Sequence, residues 1–255
     1  MMAASGKSGW DELFPPNPPG FHKVDFGDIT AMKSAVTKDT VAIMVEPIQG
    51  EAGVIIPPPS YLADLRRLAD EAGVLLILDE IQPGMGRTGT LFAFQNESVL
   101  PDILTVGKGL GAGYPISATL AQRRACCFEP GDQGGTFNGN PLGASVANAV
   151  LDTLLEDGFF TNVKITGHYL QSKLEALTTE FGFRETRGSG LLCAIDLGLD
   201  VAETVRDVAF ERGLLINAAR PWILRFMPSL RVTAAEVDEA YGQLCNCLAS
   251  VLAAA

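Results

Sequence analysis

The sequence predicts an α/β domain with a mainly parallel sheet and helices on both faces, followed by a smaller α+β unit at the C-terminal end. Three observations predict it. Unbroken apolar runs, Val41 to Val45 and Val74 to Leu78, have the length and composition of strands buried on both sides. A segment of helical period lies between them, and strand, helix, strand is the signature of a layered α/β core. Beyond Asn140 the period turns helical, and then short strands and helices alternate after a glycine-rich turn.

Residues 1–38 read as a loop or arm, because Pro15, Pro16, Asn17, Pro18, Pro19 and Gly20 are turn formers and no period precedes them. Ser5-Gly6-Lys7-Ser8 has the form of the end of a phosphate-binding loop. It lacks that motif's earlier glycine and its preceding strand, so it is read as an ordinary turn. Residues 39–140 form the larger unit. Its first strand, Val41 to Val45, ends in Glu46-Pro47. Ser60 is expected to cap a helix with Leu62, Leu65, Leu68 and Ala69 on one face, closed by Gly73. The strand Val74 to Leu78 ends in Asp79-Glu80, and further strands are expected at Ile103 to Val106 and Ile116 to Leu120.

Residues 141–182 are connecting helices, striped by Ala144, Ala147, Val150, Leu151 and Leu154, then by Val163, Leu170, Leu174 and Leu177. The C-terminal unit, 183–255, opens on an Arg187-Gly188-Ser189-Gly190 turn. A strand from Leu191 to Leu197 and a helix from Val201 to Arg212 follow. Short strands at Leu214 to Asn217 and Ile223 to Phe226 lead to a last helix, which the capping box Thr233-Ala234-Ala235-Glu236 begins.

Charge narrows the function. A net charge of −11 disfavours nucleic acid, whose phosphates need a basic footprint, and disfavours anionic membranes. Small ligands fit better. No apolar run has the length of a signal peptide or a membrane span. Five cysteines without framework spacing fit reduced thiols in a cytoplasm. Metal binding is not expected: His22 and His168 lie far from any cysteine pair, and Cys245-Asn246-Cys247 falls in an amphipathic helical pattern.

Ligands of open α/β sheets gather at the carboxyl ends of the strands. Glu46 to Glu51, Asp79 to Gln82 and Gly107-Lys108-Gly109 follow three predicted strands, so two carboxylates and a lysine are expected on one rim. Each alone reads as surface charge ending a strand; together they suggest a site. Small neighbours let a bulky ligand approach Lys108, and a desolvated lysine loses its charge more readily and can form an imine. An aspartate at a strand end can hold a ring nitrogen protonated. An imine partner and a pyridinium partner are what pyridoxal phosphate requires.

A more specific resemblance follows. Glu46-Pro47-Ile48-Gln49-Gly50-Glu51, Leu78-Asp79-Glu80-Ile81-Gln82, Gly84-Met85-Gly86-Arg87-Thr88-Gly89 and Gly107-Lys108-Gly109-Leu110-Gly111 resemble successive signatures of the class III aminotransferases. Gly135-Thr136-Phe137-Asn138-Gly139-Asn140-Pro141 and Leu224 to Leu230 complete the series, in matching order and spacing over essentially the whole chain. Within the class, Gly213 to Asn217 followed by the Arg225 motif most resembles acetylornithine and ornithine aminotransferases.

The resemblance implies a fold-type-I pyridoxal-phosphate transferase: an incomplete large domain plus a small C-terminal domain. It implies pyridoxal 5′-phosphate bound through Lys108, with Asp79 on the ring nitrogen, Gln82 on the ring hydroxyl and Thr136 on the phosphate of a neighbouring subunit in a homodimer with shared sites. Arg225 would bind a substrate carboxylate, and Glu51 would mask it when the amino donor presents something else. The implied reaction transfers an amino group from N-acetylornithine, or an ornithine-like amine, to 2-oxoglutarate in arginine biosynthesis. Another class III activity such as 4-aminobutyrate transamination, or a fragment without full activity, are the alternatives.

Without the resemblance, Arg225 reads as an alternating strand residue, Thr136 as a turn, Gln82 as a solvated loop residue, Arg87 as structural and Glu46 as a loop anchor. Members of the family begin well before this chain does. The part not matched carries the phosphate loop, the residue that stacks on the ring and a second arginine. The expectation is therefore a cut chain that binds the cofactor weakly, turns over poorly or aggregates.

Overall fold

The structure is a computed structural model that describes residues 2–7, 9–10 and 12–253, which leaves Ser8 of the Ser5 to Ser8 segment outside the described residues. A four-stranded sheet in the order β1-β2-β3-β4 forms the first unit, with β1 Ala42–Val45, β2 Leu75–Asp79, β3 Ile103–Val106 and β4 Ala118–Ala121. The first three strands are parallel, and β4 runs antiparallel to β3 along the edge.

Alternation decides how this sheet is covered. Ile43, Val45, Leu76, Leu78, Leu104 and Val106 point to one face and are buried. They share a core with Leu62, Leu65 and Leu68 of α2 (Tyr61–Ala72) and with Ala147 and Leu154 of α3 (Pro141–Leu154). On the opposite face Met44 is exposed, and Ile77 and Thr105 are only half-buried. The unbroken apolar runs predict cover on both faces, whereas among the described residues the cover is one-sided. An apolar run reports that a face is to be buried, not which polypeptide buries it.

The helix α4 (Phe159–Phe181) leads into a second, antiparallel sheet of order β5-β6-β8-β7. Its strands are β5 Glu185–Ser189, β6 Leu192–Asp196, β7 Asn217–Arg220 and β8 Ile223–Phe226. Helices α4, α5 (Ala202–Glu211) and α6 (Ala234–Leu252) close a core around Leu177, Ile195, Leu224 and Leu248. The capping box forms as predicted: Glu236 N–H donates to Thr233 Oγ1 at 3.3 Å, and Thr233 N–H donates back to Glu236 Oε2 at 2.8 Å.

Four local expectations are corrected. The arm contains a helix, α1 (Ile29–Ala35), capped by Asp28, whose Oδ1 accepts from Ala31 N–H at 2.8 Å. Ser60 precedes α2 but donates to Asp64 Oδ2 instead of accepting from a helix N–H. Residues read as a turn at 187–190 belong mostly to β5, whose pairing with β6 is long-range and leaves no local period. The strand expected at Leu214 begins at Asn217, because Leu214 N–H still closes α5 on Ala209 O at 2.9 Å.

The two units meet along a seam. Ile48 and Val54 of the first pack on Leu192, Ala194 and Ile223 of the second. Arg87 donates to the carbonyls of Leu191 and Pro228, which bears out its structural reading.

Candidate active site

Register places the chemistry. Val45 pairs with Leu78, and Asp79 with Thr105, so Glu46, Asp79 and the Gly107-Lys108 turn leave three adjacent parallel strands at one end. Lys108 opens a short 3-10 turn with φ of 42°, a left-handed conformation that side-chain-bearing residues seldom adopt. Its flanking glycines are required by close packing. A Cβ at Gly107 would lie 2.9 Å from Ile81 Cδ1, and one at Gly109 would lie 2.9 Å from Met85 Cβ. The lysine itself is exposed, so the described residues do not supply the desolvation expected of it.

The carboxylates differ in their bonds. Asp79 Oδ1 accepts from Ile81 N–H at 3.0 Å, and Oδ2 makes no hydrogen bond among the described residues. Beside it across the strand pair, the buried Thr105 Oγ1 has no hydrogen-bond partner. Glu46 Oε2 accepts from Gly50 N–H at 3.1 Å and so anchors its own loop. Burial raises the Glu46 carboxyl above its ordinary range. The Gly50 bond opposes that, the negative charge of Asp79 adds to it, and the charge of Lys108 offsets part of it. The charges of Asp79, Lys108 and Glu51 all act on Glu46, so the predicted rim is one electrostatic cluster. Glu80 is fully buried and accepts from Ala93 and Phe94 N–H, each at 2.8 Å; burial lifts it to about 7.

Arg225 reaches this rim from the second sheet. On β8 it lies on the face with Ile223, toward the seam, while Leu224 faces the helices. It is 6% exposed, against the surface position its alternating strand suggests. Nε donates to Asn217 Oδ1 at 3.1 Å, and Nη1 faces Gly50 O at 2.9 Å, Glu51 Oε1 at 2.9 Å and Gln82 Oε1 at 2.8 Å. Burial works against ionisation of Glu51, but the bonds from Arg225 and Gln82 prevail and hold its carboxyl below the ordinary range.

The structure therefore brings together five of the six candidate residues: Lys108, Asp79, Gln82, Glu51 and Arg225. Gln82 is buried and turned to Glu51 and Arg225, not the solvated loop residue its neighbours suggest. Thr136 stays apart in an exposed loop, and its side chain makes no hydrogen bond among the described residues. Sequence reasoning missed the Gly50 carbonyl, Asn217 and Thr105 as members of the site. Only the tight Pro47 to Glu51 turn offered a signal, for Gly50.

Residues 1–248 match the family described as aminotransferase class-III. The chain belongs to that family. It is 47% identical over 246 residues to the acetylornithine aminotransferase of Ralstonia nicotianae, covering 95% of this chain and 62% of that protein. Acetylornithine aminotransferase 2 of Bordetella parapertussis is also 47% identical, over 98% of this chain and 64% of its own length. Among solved structures, N-acetylornithine aminotransferase from Stenotrophomonas maltophilia superposes with a TM-score of 0.85 at 39% identity, over 94% of this chain and 65% of that one. Ornithine aminotransferase from Toxoplasma gondii gives 0.91 at 33% identity, over all of this chain and 62% of that one. The class-III chain thus has the fold-type-I aminotransferase architecture and spans under two thirds of the length of these curated relatives. No helix among its described residues is long and apolar enough to cross a membrane.

Proposed function

We propose that this chain carries pyridoxal-phosphate-dependent transamination, moving an amino group from N-acetylornithine or an ornithine-like amine to 2-oxoglutarate, as in arginine biosynthesis in the cytoplasm. The observation that carries the reading is geometric. Lys108 and Asp79 leave neighbouring parallel strands at one end, and a buried arginine paired with an exposed carboxylate arrives from the other sheet. The names of the relatives support the donor.

The residues fit the cofactor. Asp79 Oδ2 makes no hydrogen bond among the described residues, the orphaned Thr105 hydroxyl stands beside it, and the Lys108 side chain is exposed at the end of the next strand. Once bound, pyridoxal 5′-phosphate supplies an imine-forming aldehyde and a cationic ring that withdraws electrons from the reacting carbon. Lys108 would hold the cofactor by its aldehyde end, and its Nζ would move the proton off the amino-bearing carbon of the donor. Asp79 would hold the ring nitrogen and favour its protonated, charged form. Gln82 Nε2, with one hydrogen on Glu51, has a second for the ring hydroxyl. Thr136 serves the phosphate of a neighbouring subunit, a role its exposed loop is free to play in a homodimer. Arg225 takes the distal carboxylate of the diacid, and Glu51 covers it when the donor has none.

Borohydride reduction in the presence of pyridoxal phosphate, followed by peptide mass mapping, tests the reading. The expected label is on Lys108; a label elsewhere, or none, overturns it. Turnover with N-acetylornithine, ornithine and 4-aminobutyrate ranks the donors. A second reading, a chain that keeps the site residues but turns over poorly, is favoured by the half-open sheet face around Met44 and Ile77.

A further inference from the structure

Arg225 Nη1 has two hydrogens and three acceptors within reach: Gly50 O, Glu51 Oε1 and Gln82 Oε1. Two of those acceptors are fixed, one a main-chain carbonyl and the other on a side chain only 8% exposed. The third belongs to a side chain that is 71% exposed, so Glu51 alone is free to leave. Gln82 meanwhile donates Nε2–H to the same Glu51 Oε1 at 3.0 Å. Accepting from an arginine while donating to a carboxylate is what a neutral amide can do; a carboxylate at that place could not donate, and an ammonium could not accept.

We propose that Gln82 is a specificity-determining residue of the carboxylate site. Its neutral amide latches Glu51 over Arg225, yet leaves the guanidinium charge available to a second carboxylate whenever Glu51 swings out. After that swing, Gln82 Oε1, Gly50 O and Asn217 Oδ1 still hold Arg225 in position. Gly50 is the steric condition. Its backbone is not left-handed, but a Cβ there would lie 1.9 Å from Gln82 Oε1, so the missing side chain is what admits the amide. The proposal rests on reading Arg225 as the group that binds substrate carboxylate.

The test uses glutarate as a diacid probe, titrated calorimetrically into the full chain without cofactor. Glu51→Gln removes the mask and should tighten binding about tenfold, the worth of one charge-assisted contact. Gln82→Glu places a carboxylate on Arg225 that cannot swing away, and should weaken binding at least about tenfold. The double variant should stay weak, because the fixed charge acts whether or not Glu51 is present. Arg225→Met should abolish binding. Unchanged affinity in Gln82→Glu beside a loss in Arg225→Met would overturn the role of Gln82 alone; equal binding by the wild type and Arg225→Met would overturn the arginine reading and this one with it. Should Gln82→Glu fail to fold, selective 15N-glutamine labelling of the unmutated chain decides. The Gln82 side-chain amide resonance should move as glutarate displaces Glu51, and a resonance unmoved at saturation overturns the proposal.

Discussion

Asp102→Ala should destabilise the chain by about 3–4 kcal/mol, and the bonds around that carboxylate supply the figure. Asp102 stands immediately before β3 and is buried. Its Oδ2 accepts from Leu76 N–H of β2 at 2.8 Å and from Arg66 Nη1 of α2 at 2.9 Å, and its Oδ1 accepts from Arg124 Nε at 2.6 Å. Its own N–H donates to Leu76 O at 2.9 Å. Alanine would leave the Leu76 N–H buried and unpaired, a loss of about 1–3 kcal/mol. Arg66 would keep only its helical partner Asp70 and a long bond to Leu100 O, and the half-exposed Arg124 pair adds no more than about 1 kcal/mol. For a chain of this size the sum lowers Tm by about 10 °C.

Acidity gives a second arm to this test. Burial opposes ionisation of Asp102, but the Leu76, Arg66 and Arg124 bonds prevail and hold it below its ordinary value of 3.8. Its contribution is therefore complete above that value and fades as pH falls through the depressed folded one. Urea titrations of both chains from pH 7 downward should show a gap that closes on acidification. A gap under about 1 kcal/mol at pH 7, or one that widens in acid, would refute the reasoning.

Two other perturbations follow from burial and close approach. Glu80, lifted by burial from 4.5 to about 7, favours the folded state below 4.5, and that advantage is lost as pH rises through about 7. Wild-type unfolding free energy should thus lose up to about 3 kcal/mol across that window relative to Glu80→Gln, and parallel urea midpoints in the two chains would refute it. Gly167→Ala in α4 would set a Cβ 2.5 Å from the Gly190 carbonyl and cost about 1–3 kcal/mol, whereas Gly242→Ala in α6 meets nothing within 4 Å and should gain up to about 1 kcal/mol. Equal shifts of the urea midpoint in the same direction would count against both.

What was legible in the residues follows the range of the interactions. The β1 and β2 runs, the Gly73 stop and the Thr233 box are local patterns, and the structure keeps all three. Parallel neighbours then bring Asp79 and Lys108 to one end almost by necessity. The failures were non-local. β5 exists because β6 pairs with it, and β7 starts late because α5 claims Leu214 first. The arginine network was legible only through family resemblance, since its contacts join residues 143 to 175 positions apart. Local composition carried no trace of the amide at Gln82 facing both charges.

The ties across the seam have a consequence for access. Arg87 grips two carbonyls of the far unit, Arg187 Nε donates to Gly53 O at 2.8 Å, and Gly190 packs so closely on Thr88 that a methyl there would lie 2.8 Å from its backbone. Hinged opening would have to break all of these together with the Arg225 bonds. On the proposed reading, a carboxylate reaching Arg225 would need only the exposed Glu51 side chain to turn, with the ties across the seam left unbroken.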